Sequence, residues 1–264
     1  MSPQAAATTK KILLADDQAD VRLLLATRLR MLPGLAIVGE AASGAEVLVQ
    51  VREHNPDLVI LDLDMPVMNG MEVIPILRAV APETRILVYS GLIGERSLVG
   101  PYKPDARIAK GTDLGLLVET MQQLLEETPD DIVDVDLRVV PAAVARAAFD
   151  AWVGLSARIR DEGAGGAVAP PLSEADRADL LSLVAVFIRI GDPMLRAAEG
   201  GDDVFPVRFR IRRDAAQAAR RALISITQGG ANAFHQRWGF EITPESRDAV
   251  NTMYARLLEA LPVG

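Results

Sequence analysis

The sequence predicts an α/β fold, a doubly wound five-stranded parallel sheet, followed by a mainly α-helical second domain with a small two-stranded sheet. Three observations predict it. Between Lys11 and Glu127, short wholly apolar runs alternate with amphipathic stretches. Runs without a polar side belong to strands covered by helices on both faces. All four lysines precede Glu127, so the composition changes at that point and marks a domain boundary. Beyond it, long stretches of helical period take over, interrupted by two segments of period two. At 264 residues the chain has room for two ordinary domains.

The expected strands are Ile12 to Ala15, Ala36 to Val38, Leu58 to Leu61, Ile86 to Tyr89 and Ala106 to Ala109. Ser43, with Glu46 three residues on, has the spacing of a capping box and opens a helix from Gly44 to His54. Residues 1–9 are expected to be a flexible tail, 10–128 the sheet domain, 129–140 an acidic linker or strand, and 141–264 the helical domain. Within the last, helical spacing covers Ala142 to Glu162, Glu174 to Ala198, Arg213 to Gln228 and Pro244 to Leu261, with a Gly- and Ala-rich loop from Gly163 to Pro171. Thr243, Pro244 and Glu245 form a favourable helix entry, since proline at the first position loses no hydrogen bond and the acid meets the positive end of the dipole. Val133, Val135, Leu137 and Val139 alternate with Asp134, Asp136 and Arg138, and Val207, Phe209 and Ile211 with Arg208, Arg210 and Arg212. These two segments are expected to pair, acids beside arginines.

Bulk properties narrow the function. A formal net charge of −8 disfavours general attraction to a phosphate backbone. Without cysteine, the chain has neither disulfides nor thiolate metal sites. The longest apolar stretch, Leu180 to Ile188, is far below the about 20 residues that span a bilayer. Met1 to Thr9 lacks the pattern of a signal peptide, so a cytoplasmic location and no membrane association are expected.

In an open parallel sheet the site lies beyond the carboxyl ends of the strands. Asp16 and Asp17 follow the first strand, Asp62 the third, Ser90 the fourth and Lys110 the fifth. Carboxylates crowded together call for a hard divalent cation, for which Mg2+ is the natural choice. A cation and a lysine can neutralise charge on a phosphoryl group while a carboxylate attacks it in line. A helix cap or a solvated lysine would explain any one of these residues alone, but not their joint placement at strand ends.

The run Leu13-Leu14-Ala15-Asp16-Asp17, then Pro56-Asp57-Leu58-Val59-Ile60-Leu61-Asp62 with Met65-Pro66 and Asn69-Gly70, then Ser90 and Lys110, resembles the receiver family of two-component response regulators, over roughly the first 128 residues. The resemblance implies a flavodoxin-like sheet domain with Asp62 as phosphoacceptor. It makes Asp17 a direct metal ligand, Asp16 the acid that holds metal-bound water, and the Asp64 backbone carbonyl a further ligand. Ser90 takes the place of the switch hydroxyl and Lys110 that of the lysine that pairs with the phosphoryl group, with the Gly91 backbone lining the pocket. Partners implied are a sensor histidine kinase or phosphotransfer protein. Three positions depart from the family pattern. Arg107 replaces the switch aromatic, Gly111 follows the lysine where proline is common, and Pro101 and Pro104 leave little helical pattern for a fourth helix.

Leu35 to Gly70 resembles the NarL/FixJ branch, whose usual output binds DNA through a helix-turn-helix. The second domain is about twice that length. Its nearest candidate, Arg237 to Leu258, turns at Trp238-Gly239 and exposes Arg247 and Arg256 beside Glu245, Asp248 and Glu259, a poor balance for a major groove. Arg208, Arg210, Arg212, Arg213, Arg220 and Arg221 form the best basic group, and internal pairing is the favoured reading. Trp152, Phe187, Phe234 and Trp238 read as core, His54, near the end of an amphipathic helix, as exposed or structurally bonded, and His235 as isolated. No separate active site is visible, so the domain is not expected to be an enzyme. A phosphorylation-gated output that binds a protein or a second copy of the chain is expected. The alternative is a transcription regulator with a divergent helix-turn-helix.

Overall fold

The computed structural model describes residues 9–91, 102–127, 129, 131–150, 173–228 and 244–263. They fall into two compact units, the main division following Asp130.

In the first unit, β1 (Lys10–Ala15), β2 (Leu35–Ala41), β3 (Leu58–Leu61), β4 (Arg85–Ser90) and β5 (Ala106–Ala109) form one sheet in the order β2-β1-β3-β4-β5. All four pairings are parallel. The apolar strands predicted from the sequence are thus present, extended by one to three residues at some ends. Ile12, Leu14, Leu58, Ile60 and Leu87 pack with Leu25 and Leu29 of α1 (Ala19–Leu29) and Leu117 and Met121 of α4 (Leu114–Glu126) on one face. Their neighbours Leu13, Val59, Leu61, Ile86 and Val88 are equally buried and point the other way. α2 (Gly44–His54) lies against β1 and β2. Burial on both faces is why these strands carry no polar alternation.

The helix entries show local chemistry. Ser43 accepts from the Glu46 amide as expected, but the Glu46 carboxylate accepts from the amide of Ala42 and not from that of the capping residue. A complete capping box occurs instead at α3 (Gly70–Val80), where Asn69 and Glu72 each accept the other's amide. Proline at the fifth strand's exit would have been excluded, because Gly111 takes φ +91°, a conformation open to glycine and closed to proline. The fourth helix considered between Ser90 and Lys110 falls largely on residues 92–101, outside the described residues.

In the second unit, β6 (Ile132–Pro141) pairs antiparallel with β7 (Val204–Arg212). The acidic stretch is therefore strand and not linker. Asp134 stands opposite Arg210 and Asp136 opposite Arg208, as the alternation predicts. The register shifts between Asp136 and Arg138, and Arg138 takes φ 58° at this bulge. The inner face, Val135, Leu137, Phe205, Val207, Phe209 and Ile211, is buried beneath helices. Residues 142–150 are helical (α5); the rest of the stretch to Glu162 and the loop from Gly163 to Pro171 lie outside the described residues. α6 (Glu174–Gly200), α7 (Arg213–Gln228) and α8 (Pro244–Ala260) follow, with Thr243 also outside the description.

α7 packs on α6, on α8 and on both strands. Its buried side joins Leu223 and Ile226 to Ala215, Ala216, Ala218, Ala219 and Ala222, short side chains that let helices approach closely. Phe187 meets Tyr254 edge-on with ring centres 6.4 Å apart. No described helix is long and apolar enough to cross a membrane.

Candidate functional site

Backbone hydrogen bonds continue the sheet past its strand ends and bring the chemical groups together. The Asp62 amide donates to the Ala15 carbonyl at 2.8 Å, and the Asp16 amide to the Ala41 carbonyl at 3.0 Å. The Lys110 amide donates to the Ser90 carbonyl at 3.1 Å. The connection from β1 runs to β2 on one side and that from β3 to β4 on the other, so the crevice between the ends of β1 and β3 is where an open sheet takes its ligand.

In that crevice a ligand oxygen of each of Asp16, Asp17 and Asp62 lies within 4.8 Å of the others. Asp16 and Asp62 are buried and Asp17 is exposed. Lys110 Nζ stands 2.7 Å from Asp16 Oδ2 and 2.8 Å from Asp62 Oδ2. Ser90, at the end of β4, is fully buried. Asp62 Oδ1 is buried with no hydrogen-bond partner among the described residues. A buried oxygen left this way normally needs a water, an ion or a ligand group.

The electrostatics follow from this crowding. Burial pushes the Asp16 carboxyl above its ordinary range, and the hydrogen bond from Lys110 only partly offsets it. Burial alone would lower Lys110, but its bonds to Asp16 and Asp62 outweigh that and raise it. The ammonium therefore stays charged, while the acids remain under mutual repulsion. Their hard oxygen donors and the orphaned Asp62 oxygen fit a divalent cation of the Mg2+ type.

A close approach of backbone holds the rear of the pocket. A Cβ on Gly70 would lie 2.1 Å from the Asp62 carbonyl oxygen, so only glycine fits there. The Gly70 amide donates to Leu63 at 3.1 Å. Asp64 and Gly91 are exposed on the loops after β3 and β4. Arg107 is exposed on β5, and the buried aromatics of this region are Tyr89 on β4 and Tyr102 ahead of β5.

In the second unit the basic group is mostly engaged. Arg208 pairs with Asp136 at 2.9 Å and Arg210 approaches Asp134 at 4.0 Å. Arg212 is buried on Asp131, and Arg221 binds both oxygens of Asp179 at 2.7 and 3.0 Å. Arg220 donates to the carbonyls of Leu258 and Leu261 at the end of α8, where a cation also meets the helix dipole. Arg256 donates to the Val139 carbonyl at 2.6 Å. Trp152, Phe234, His235, Arg237, Trp238 and Gly239 lie outside the described residues, and His54 offers its carbonyl to Lys11 at 3.1 Å.

A sheet with acids at the ends of its first and third strands and a lysine at the end of its fifth defines the receiver class. Residues 12–107 match the response regulator receiver domain. The chain is 35% identical over 133 residues to the nitrate/nitrite response regulator protein NarL of Escherichia coli K12, covering 50% of this chain and 54% of that protein. It is 33% identical over 90 residues to the chemotaxis protein CheY of Thermotoga maritima, covering 34% of this chain and 73% of that one. Among solved structures, the Thermotoga maritima response regulator protein TrrA with Mg(2+)-BeF is 31% identical, covers 44% of this chain and 98% of that one, and has a TM-score of 0.40. The chain belongs to the response-regulator receiver family, and it spans about half the length of NarL.

Proposed function

We propose that this chain is a phosphorelay response regulator in which Asp62 accepts a phosphoryl group from a sensor histidine kinase or phosphotransfer protein. Residues 10–128 act as the receiver, and residues 141–264, joined through the acidic strand, form an output domain that binds a protein partner or a second copy of the chain. The observation that carries this reading is the convergence of Asp16, Asp17 and Asp62 within 4.8 Å, bridged by Lys110.

A carboxylate oxygen of Asp62 attacks phosphorus as the bond from phosphorus to the donor's imidazole nitrogen breaks. The imidazole leaves, and an acyl phosphate forms on Asp62. Lys110, already 2.8 Å from Asp62, pairs with the new phosphoryl charge, and the hydroxyl of Ser90, buried at the end of β4, would donate to it. Asp16, Asp17, Asp62 and the Asp64 backbone carbonyl would hold Mg2+, which supplies charge neutralisation for the transferred group. Bonding of Ser90 and Lys110 to the phosphoryl group then shifts a pre-existing equilibrium that the output domain reads.

An interaction output is favoured over DNA binding because the arginines of the second unit are largely spent on internal carboxylates and carbonyls. The test is light scattering of the full chain before and after treatment with acetyl phosphate and Mg2+, together with titration of duplex DNA at two salt concentrations. A change in assembly without salt-sensitive DNA affinity supports the interaction output. Unchanged assembly with DNA affinity that falls steeply in salt overturns it in favour of a transcription regulator.

A further inference from the structure

The loop after β1 carries two of the three acids, and its main chain is gripped from α1. Arg22 donates through one terminal nitrogen to the Asp16 carbonyl at 2.6 Å and to the Asp17 carbonyl at 3.3 Å. Its Nε donates to Glu40 Oε2, near the end of β2, at 3.3 Å. The Arg22 side chain is only 17% exposed. Arg30 reaches the other Glu40 oxygen at 4.0 Å, and Gln50 donates to the Glu40 carbonyl at 2.6 Å, so the anchor is itself held.

The two acids differ in how their side chains are fixed. Asp16 accepts from the Gln18 amide at 3.0 Å and from Lys110. The exposed Asp17 carboxylate has no hydrogen bond among the described residues. The direction in which Asp17 presents its oxygens is therefore set by its main chain, and Arg22 is the side chain that holds that main chain.

We propose that Arg22 is a positioning residue for the phosphoryl pocket, fixing the Asp16–Asp17 backbone so that both carboxylates converge with Asp62 on one divalent cation. This rests on the magnesium reading of the site.

Two effects of Arg22 oppose each other, and their balance makes the proposal testable. Its positive charge repels a cation bound by the acids, so loss of charge alone would tighten binding. Its planar fork joins two carbonyls and a carboxylate, so loss of position would weaken binding. Lysine keeps the charge but cannot span the same three acceptors in one plane.

The experiment is calorimetric titration of the metal-free full chain with Mg2+, alongside melting in chelator and acetyl phosphate labelling across Mg2+ concentrations. Arg22→Ala is expected to weaken Mg2+ binding about tenfold, the scale for residues that orient metal ligands. Arg22→Lys and Glu40→Gln should weaken it in the same direction by less. Labelling rates should return to near wild type once Mg2+ is saturating, which general damage to the fold would not allow. Unchanged or tighter binding in Arg22→Ala with wild-type melting would overturn the clamp. If Arg22→Ala does not fold, Arg22→Lys and Glu40→Gln decide by the same criterion. A wild-type chain that binds no Mg2+ at millimolar concentration would overturn the magnesium reading along with the clamp, a result distinct from normal wild-type binding with indifferent variants.

Discussion

Lys110 Nζ bridges Asp16 Oδ2 and Asp62 Oδ2 at 2.7 and 2.8 Å, so a single ammonium serves two buried carboxylates. That arrangement is under-neutralised: Asp17 adds a third acid within 4.8 Å, and burial raises the Asp16 carboxyl above its ordinary value. A site built this way suits a divalent cation, and it costs the metal-free fold stability.

The cost has a defined pH dependence. A carboxyl whose folded-state pKa is raised favours the fold below its unfolded pKa, and that contribution is lost as pH rises through the folded value. Above the usual carboxylate range, ionised Asp16 therefore destabilises the metal-free chain. Asp16→Asn should melt about 2–4 °C higher than wild type at neutral pH in chelator. The advantage should shrink as pH falls below that range. Melting curves across pH check it, and a variant that melts lower at neutral pH would contradict the assignment.

Gly70 presses on the backbone of Asp62. A Cβ there would lie 2.1 Å from the Asp62 carbonyl oxygen and 2.9 Å from Leu63 Cα, both rigid main-chain atoms. Gly70→Ala should cost about 3 kcal/mol or more in urea unfolding and slow labelling of Asp62 by acetyl phosphate. Wild-type stability in this variant would show that the loop after β3 relaxes freely.

The second unit separates a buried ion pair from exposed ones. Arg212 is 2% exposed and pairs with Asp131, whereas the Asp134 side chain opposite Arg210 is 90% exposed. Asp131→Ala removes an acid from a buried guanidinium and should cost about 2 kcal/mol, discounted because Asp131 itself is partly exposed. Asp134→Ala should cost less than about 0.5 kcal/mol. Equal losses by chemical denaturation would mean that burial does not set the value of these pairs.

Much of this architecture was legible in the sequence because it rests on periodicity. Strands apolar on both faces left no alternative to a covered sheet, and the opposed charges of Asp134, Asp136, Arg208 and Arg210 announced the pairing of β6 with β7. The five site residues were legible because each stands at or just past the end of a strand, and an open parallel sheet gathers its strand ends. Asn69 with Glu72 had the same capping spacing as Ser43 with Glu46, and the sequence did not separate the complete box from the incomplete one. Arg22 and Tyr102 were not legible. The grip of Arg22 on the Asp16 and Asp17 carbonyls depends on the position of α1 against a strand end, which no local pattern encodes. Gly111, noticed only as a departure from a common proline, proved to hold a left-handed turn that proline cannot make.

Phosphoryl transfer to Asp62 can be read from the intact mass of the full chain incubated with Mg2+ and acetyl phosphate. One phosphoryl adduct is expected, stable in acid and lost in alkali, present in wild type and absent in Asp62→Asn. An adduct that persists in Asp62→Asn, or none on wild type under conditions that label a control receiver, would contradict it.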